Sequence, residues 1–166
     1  MDVKKLGFPI LAALLALAAL QPATARAGTA VTSIGPRVGF SLNPDQFVVG
    51  GQMQIGEVAP KITFDPNIEL GFGDNVTLIS FGLDMHYHLT LEDTDWKPYV
   101  GAGVALQIVS EDAPPPADNS DTNVGANILI GADIPTKQGQ RFFSEMKIGL
   151  ADAPDLKLLV GWNFKL

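Results

Sequence analysis

Asp84, His86 and His88 recur at every second position of Asp84-Met85-His86-Tyr87-His88, and their types are those of metal ligands. In an extended chain alternate residues share a face, about 7 Å apart, so a carboxylate and two imidazoles stand in one row. With a fourth ligand from a neighbouring strand, such a row can hold zinc or nickel. The plainer reading is polar lining, hydrogen-bonded to neighbours such as Glu69 or Lys147. These are the only two histidines, and cysteine is absent, so no second pair exists to complete a site. Neither a metal nor a cofactor is expected, and the three residues stand as weak candidates.

Acyl transfer needs a hydroxyl, an imidazole and an acid in contact. No nearby serine makes a His-x-Ser motif with His86 or His88, and only a tertiary arrangement can bring Ser80, Ser110 or Ser144 to them. A phosphate-binding glycine loop is missing too: Gly101-Ala102-Gly103 sits inside a strand pattern with no helix after it. No catalytic residue is assigned, and the chain is not expected to be an enzyme.

The element that carries the Asp-His row belongs to a pattern that fills the chain. From 61 to 72, Lys61, Thr63, Asp65, Asn67, Glu69 and Gly71 alternate with Ile62, Phe64, Pro66, Ile68, Leu70 and Phe72. That is a β-strand with one oily and one polar face. Twelve residues rising about 3.3 Å each and tilted about 45° cross a hydrocarbon layer of roughly 30 Å. The same alternation predicts strands over 33–42, 46–56, 61–72, 76–90, 96–109, 123–134, 141–150 and 156–166, joined by turns such as Asn43-Pro44-Asp45 and Gly73-Asp74-Asn75. The longest connection, 110–121, is rich in proline and acid and reads as a solvated loop. The architecture expected is all-β, an antiparallel up-and-down meander of eight strands.

Ahead of these strands, Lys4 and Lys5 precede an apolar run over 8–20, and Ala25-Arg26-Ala27 follows. This is the order of a secretory signal, with cleavage expected after Ala27, giving a leader 1–27 and a single domain 28–166. Without Asp2, Lys4, Lys5 and Arg26 the chain goes from 11 basic and 18 acidic side chains to 8 and 17, net −9. So acidic a chain is a poor ligand for nucleic acid. Without cysteine it cannot be a disulfide scaffold.

Alternation alone does not say which face looks outward. A soluble lipocalin-like carrier would turn the oily face in, around an apolar ligand. Against that, the polar faces are crowded with glycine, including Gly82, Gly101, Gly103, Gly131 and Gly161, which suits a narrow packed interior. The charges on those faces nearly balance: Arg37, Lys61, Arg141, Lys147, Lys157 and Lys165 against Asp65, Glu69, Asp84, Asp133 and Glu145. Balance is what a buried network requires, because an unpaired buried charge costs several kcal/mol. Aromatic residues fall near strand ends, Phe64, Tyr87, Trp96, Phe142, Trp162 and Phe164 at one end and Phe40, Phe47 and Phe72 at the other, as two girdles around an oily band. These features predict a transmembrane barrel with its charges inside.

With the export signal, the eight amphipathic strands, the strand opening Trp96-Lys97-Pro98-Tyr99-Val100-Gly101-Ala102-Gly103 and the ending Phe164-Lys165-Leu166, the chain resembles the small outer-membrane β-barrels of Gram-negative bacteria, the group of outer membrane proteins A and X and the opacity-type barrels. The resemblance implies an outer-membrane location, contact with membrane lipid and lipopolysaccharide, and recognition of the last strand by the barrel-assembly machinery through Gly161, Phe164 and Leu166. The terminal Leu166 replaces the usual Phe, and Leu159 stands where a polar residue is usual. It also implies a structural or surface-interaction role, with loop 110–121 as the place for a surface ligand. Some barrels of this size modify lipid A, which keeps a lipid-modifying enzyme as a third reading. Eight strands leave a lumen only wide enough for side chains, so no porin-sized pore is expected.

Overall fold

The computed structural model describes residues 30–74, 76–111, 120–136 and 139–166; the expected leader, 1–27, and the middle of the long loop, 112–119, lie outside the described residues. The described chain forms eight antiparallel strands: β1 (Val31–Leu42), β2 (Gln46–Ala59), β3 (Ile62–Gly73), β4 (Val76–His88), β5 (Lys97–Glu111), β6 (Ser120–Pro135), β7 (Arg141–Ala151) and β8 (Leu156–Lys165). Each pairs with its sequence neighbours, and β1 pairs with β8 to close the barrel. Closure leaves no free edge.

Several strands run past their expected ends by a few residues, because cross-strand hydrogen bonds extend pairing where alternation has faded. β2 continues through Glu57 to Ala59 with its register against β3 broken between Ile55 and Ala59. β5 and β6 absorb Ser110, Glu111, Ser120 and Asp121 from the expected loop. Other boundaries move inward. β4 stops at His88, and β3 starts at Ile62 because Lys61 belongs to the turn, with a left-handed φ of 64°.

The oily face points out. Ile68, Phe81 and Ile128 are 46%, 46% and 47% exposed, while Glu69 on the opposite face of β3 is 1% exposed. A lipocalin would show the reverse. Phe40 meets Phe47 edge to face at 5.4 Å, with Phe72 paired to Phe47 across β2 and β3. Toward the chain termini, Phe142 meets Trp162 at 4.9 Å. Phe81 is an aromatic outside either girdle, opposite Ile68 and Leu106 in the middle of the band.

A charged lumen as the candidate functional site

Arg37 projects from β1 into the centre of the barrel, 2% exposed. Its Nη2 donates to Glu145 Oε1 of β7 at 2.6 Å, and its Nε lies 3.3 Å from Glu69 Oε1 of β3. Lys157 of β8 donates to Glu69 Oε2 at 2.6 Å. Lys147 of β7 donates to Asp84 Oδ2 of β4 at 2.5 Å and sits 3.7 Å from Glu145 Oε1 on its own strand. None of these partners is on an adjacent strand. Apart from Lys147 with Glu145, the links run across the lumen, and each carboxylate is held by at least one cation, which is what makes burial of so many charges tolerable.

A second cluster lies nearer the chain termini. Tyr99 OH donates to Glu145 Oε2 at 2.9 Å, and the Tyr99 ring stacks on His86 at 4.4 Å between centroids. His86 Nδ1 is 3.4 Å from Asp65 Oδ2 and its Nε2 is 3.5 Å from Glu145 Oε2. Asp65 also accepts from Gln54 Nε2 at 3.1 Å and from Thr63 Oγ1 at 2.7 Å. Arg141 donates to Asp133 Oδ2 at 3.2 Å and to Gln54 Oε1.

Glycine provides the space for these side chains. A Cβ on Gly131 would strike the Tyr99 ring, one on Gly103 would strike Asp84 Oδ1, and one on Gly161 would strike Phe143. Each of these bulky lumen residues lies over a glycine of the next strand. Apolar residues fill the remaining room: Val48, Leu78, Leu129, Phe143 and Leu159 are at most 5% exposed, and the Arg37 guanidinium stands 5.7 Å from the centre of the Phe143 ring.

Of the charged residues placed on the polar faces, Arg37, Asp65, Glu69, Asp84, Asp133, Arg141, Glu145, Lys147 and Lys157 come together inside. Lys61 and Lys165 do not. Lys61 is exposed in the β2–β3 turn, where the chain reverses before β3 begins, and Lys165 is exposed at the last position of β8, beyond the packed lumen. The lumen therefore holds four basic and five acidic side chains, with His86 between two of the carboxylates. Residues the charge pattern missed are Gln54, Thr63, Asn67 and Tyr99, which hold the carboxylates in place. Their only sequence signal is their place on the polar face.

The Asp84, His86 and His88 row does not converge. Asp84 turns to Lys147 and Asn67, His86 to Asp65 and Glu145, and His88 to Thr63. Among the described residues no group of three His, Cys, Asp or Glu is placed to hold a metal. A hydroxyl and an imidazole do meet, Thr63 Oγ1 and His88 Nε2 at 3.1 Å. Thr63 has one proton and gives it to Asp65 Oδ2, so Nε2 is the donor in this contact, the reverse of what nucleophile activation requires. Of the last-strand residues, Gly161 faces inward against Phe143, while Phe164 and Leu166 are exposed outside, 41% and 68%.

An oily exterior around a filled polar lumen, closed by eight antiparallel strands, defines the fold class of the small transmembrane β-barrels. Among solved structures, the N-terminal β-barrel domain of Pseudomonas aeruginosa OprF superposes with a TM-score of 0.64 at 16% identity, covering 82% of this chain and 98% of that one. Neisserial surface protein A does so with a TM-score of 0.64 at 14% identity, covering 81% and 96%. A de novo designed transmembrane β-barrel gives 0.52 at 15% identity, covering 82% and 98%. The chain thus has the fold of the small Gram-negative outer-membrane barrels. No protein-family model matches it, and no curated protein matches it in sequence.

Proposed function

We propose that the chain is a small outer-membrane barrel with a structural or surface-interaction role, no catalysis and a lumen that does not conduct. The observation that carries this reading is the set of ion pairs crossing the lumen from Arg37, Lys147 and Lys157. A solute passing through would have to part buried charges, at a cost of several kcal/mol for each pair broken. The oily band sits in outer-membrane lipid, with the termini toward the periplasm and the opposite mouth among lipopolysaccharide. Gly161, Phe164 and Leu166 present the last strand to the assembly machinery. Loop 110–121 is the contact point for a surface ligand, and the net negative charge argues against nucleic acid.

The test is expression in a Gram-negative host, fractionation, and reconstitution in planar bilayers. The chain should partition with the outer membrane, migrate differently on a detergent gel when unboiled, and give no stepwise current of porin size. A chain that stays folded in water without detergent would overturn the membrane assignment. A steady single-channel current would overturn the sealed lumen.

A further inference from the structure

The mouth opposite the termini is roofed by the β7–β8 turn. Its Pro154 is buried, and Gly149 N donates to Asp155 O at 2.9 Å. A Cβ on Gly149 would strike Pro154 O, and one on Gly125 would come within 2.8 Å of Ala153 Cβ. Asn43 Nδ2 donates to Asp155 Oδ2 at 2.7 Å, tying this roof to the β1–β2 turn. Beneath it lies a cavity bounded by Asn67, Asp84, Asn127, Lys147, Lys157 and Pro154 that leaves about 10 Å³ for the centre of a water molecule, the room of one.

Among the described residues, three acceptors on the lining side chains have no hydrogen-bond partner: Glu69 Oε1, which has Arg37 Nε at 3.3 Å as its counter-charge, and Asp84 Oδ1 and Asn127 Oδ1, on residues 1% and 8% exposed. Asp84 and Asn127 are neighbours through Gly103: Asp84 Oδ1 lies against Gly103, and Gly103 pairs with Asn127 across β5 and β6. Leaving a buried acceptor unpaired forfeits its hydration with nothing in return, so two on one cavity call for a shared donor. We propose that this cavity is a hydration site holding one water that donates to Asp84 Oδ1 and to Asn127 Oδ1. A monovalent cation meets the acceptors but not the surroundings, since Lys147 and Lys157, whose ammonium groups hold Asp84 Oδ2 and Glu69 Oε2, line the same space. A water satisfies both: each ammonium has three N–H groups, its short bond to Asp84 or Glu69 uses one, and a remaining N–H can point to the water oxygen.

The experiment is a crystal structure of the detergent-solubilised barrel from crystals soaked in rubidium chloride. The expected result is one ordered oxygen at about 2.6–3.2 Å from both Oδ1 atoms, with no rubidium signal at the site. A cavity without density, Oδ1 atoms turned onto protein donors, or a rubidium peak would each overturn the proposal. In solution, Asn127→Leu should remove one long-lived water from the magnetic relaxation dispersion while unboiled gel migration stays that of a folded barrel. An unchanged count in that folded variant would also overturn it. If Asn127→Leu does not fold, Asn127→Ser, which keeps an acceptor in a smaller side chain, is expected to keep the water, and its loss there would count against the site.

Discussion

The outer and inner faces of this barrel have the same two-residue period and obey different rules. Outside, β3 presents Ile68, Leu70 and Phe72 to the band, and any oily side chain of similar size meets that environment equally well. Inside, Glu69 is met by Arg37 and Lys157 from two other strands, a contact that depends on a carboxylate at that one position. The outer face is specified by class of residue, the inner by identity. An apolar side chain in lipid needs no particular partner, whereas a buried charge needs a partner at a particular place.

Substitutions on the two faces can break or sharpen this contrast. The largest effect is expected at Arg37→Leu, which leaves Glu69 and Glu145 buried without their shared cation. It should lower the unfolding free energy by about 3–5 kcal/mol in urea titrations of the barrel in vesicles. An unfolding midpoint like that of the unmodified chain would mean the inside is no more particular than the outside. Next comes a charge on the outer face: Ile68→Arg should cost about 2–4 kcal/mol near the bilayer midplane by the same titration, whereas Ile68→Leu should cost little. A costly Ile68→Leu would show that the exterior also specifies identity.

Smaller still is Gly131→Ala, whose Cβ meets the Tyr99 ring; about 1–3 kcal/mol is expected, partly recovered when Tyr99→Leu is combined with it. No recovery in the double variant would show that the glycine serves something other than room for Tyr99. The smallest effects belong to Lys61→Ala and Lys165→Ala, expected within about 0.5 kcal/mol because both side chains are exposed outside the lumen. A loss of several kcal/mol at either would restore it to the network.

Much of this was legible in the chain. The alternation from 61 to 72 located β3 to within one residue, and the glycines at 103, 131 and 161 marked an interior with little room. The charges of the polar faces pointed to a paired network, but counting them by alternation could not tell Lys61 from Lys157. One sits in a turn and the other is the second residue of β8, paired with Ser41 and Lys147 and buried, and the difference lies in where pairing stops. Phe143 stands in the chain at a polar-face position between Arg141 and Glu145; that it packs against Gly161 and beneath Arg37 was not legible there. The Asp84, His86 and His88 row looked like one site and is three, because neighbours from β3 and β7 draw each side chain a different way.

The order of residues along the chain determined the strands, the two faces and the oily band, since each depends on local alternation and on the preference of apolar side chains for lipid. Closure of β1 on β8 decided who meets whom inside. Arg37 with Glu145, Lys147 with Asp84 and Lys157 with Glu69 are separated by 108, 63 and 88 positions, and only the circumference of eight strands brings their charges within reach.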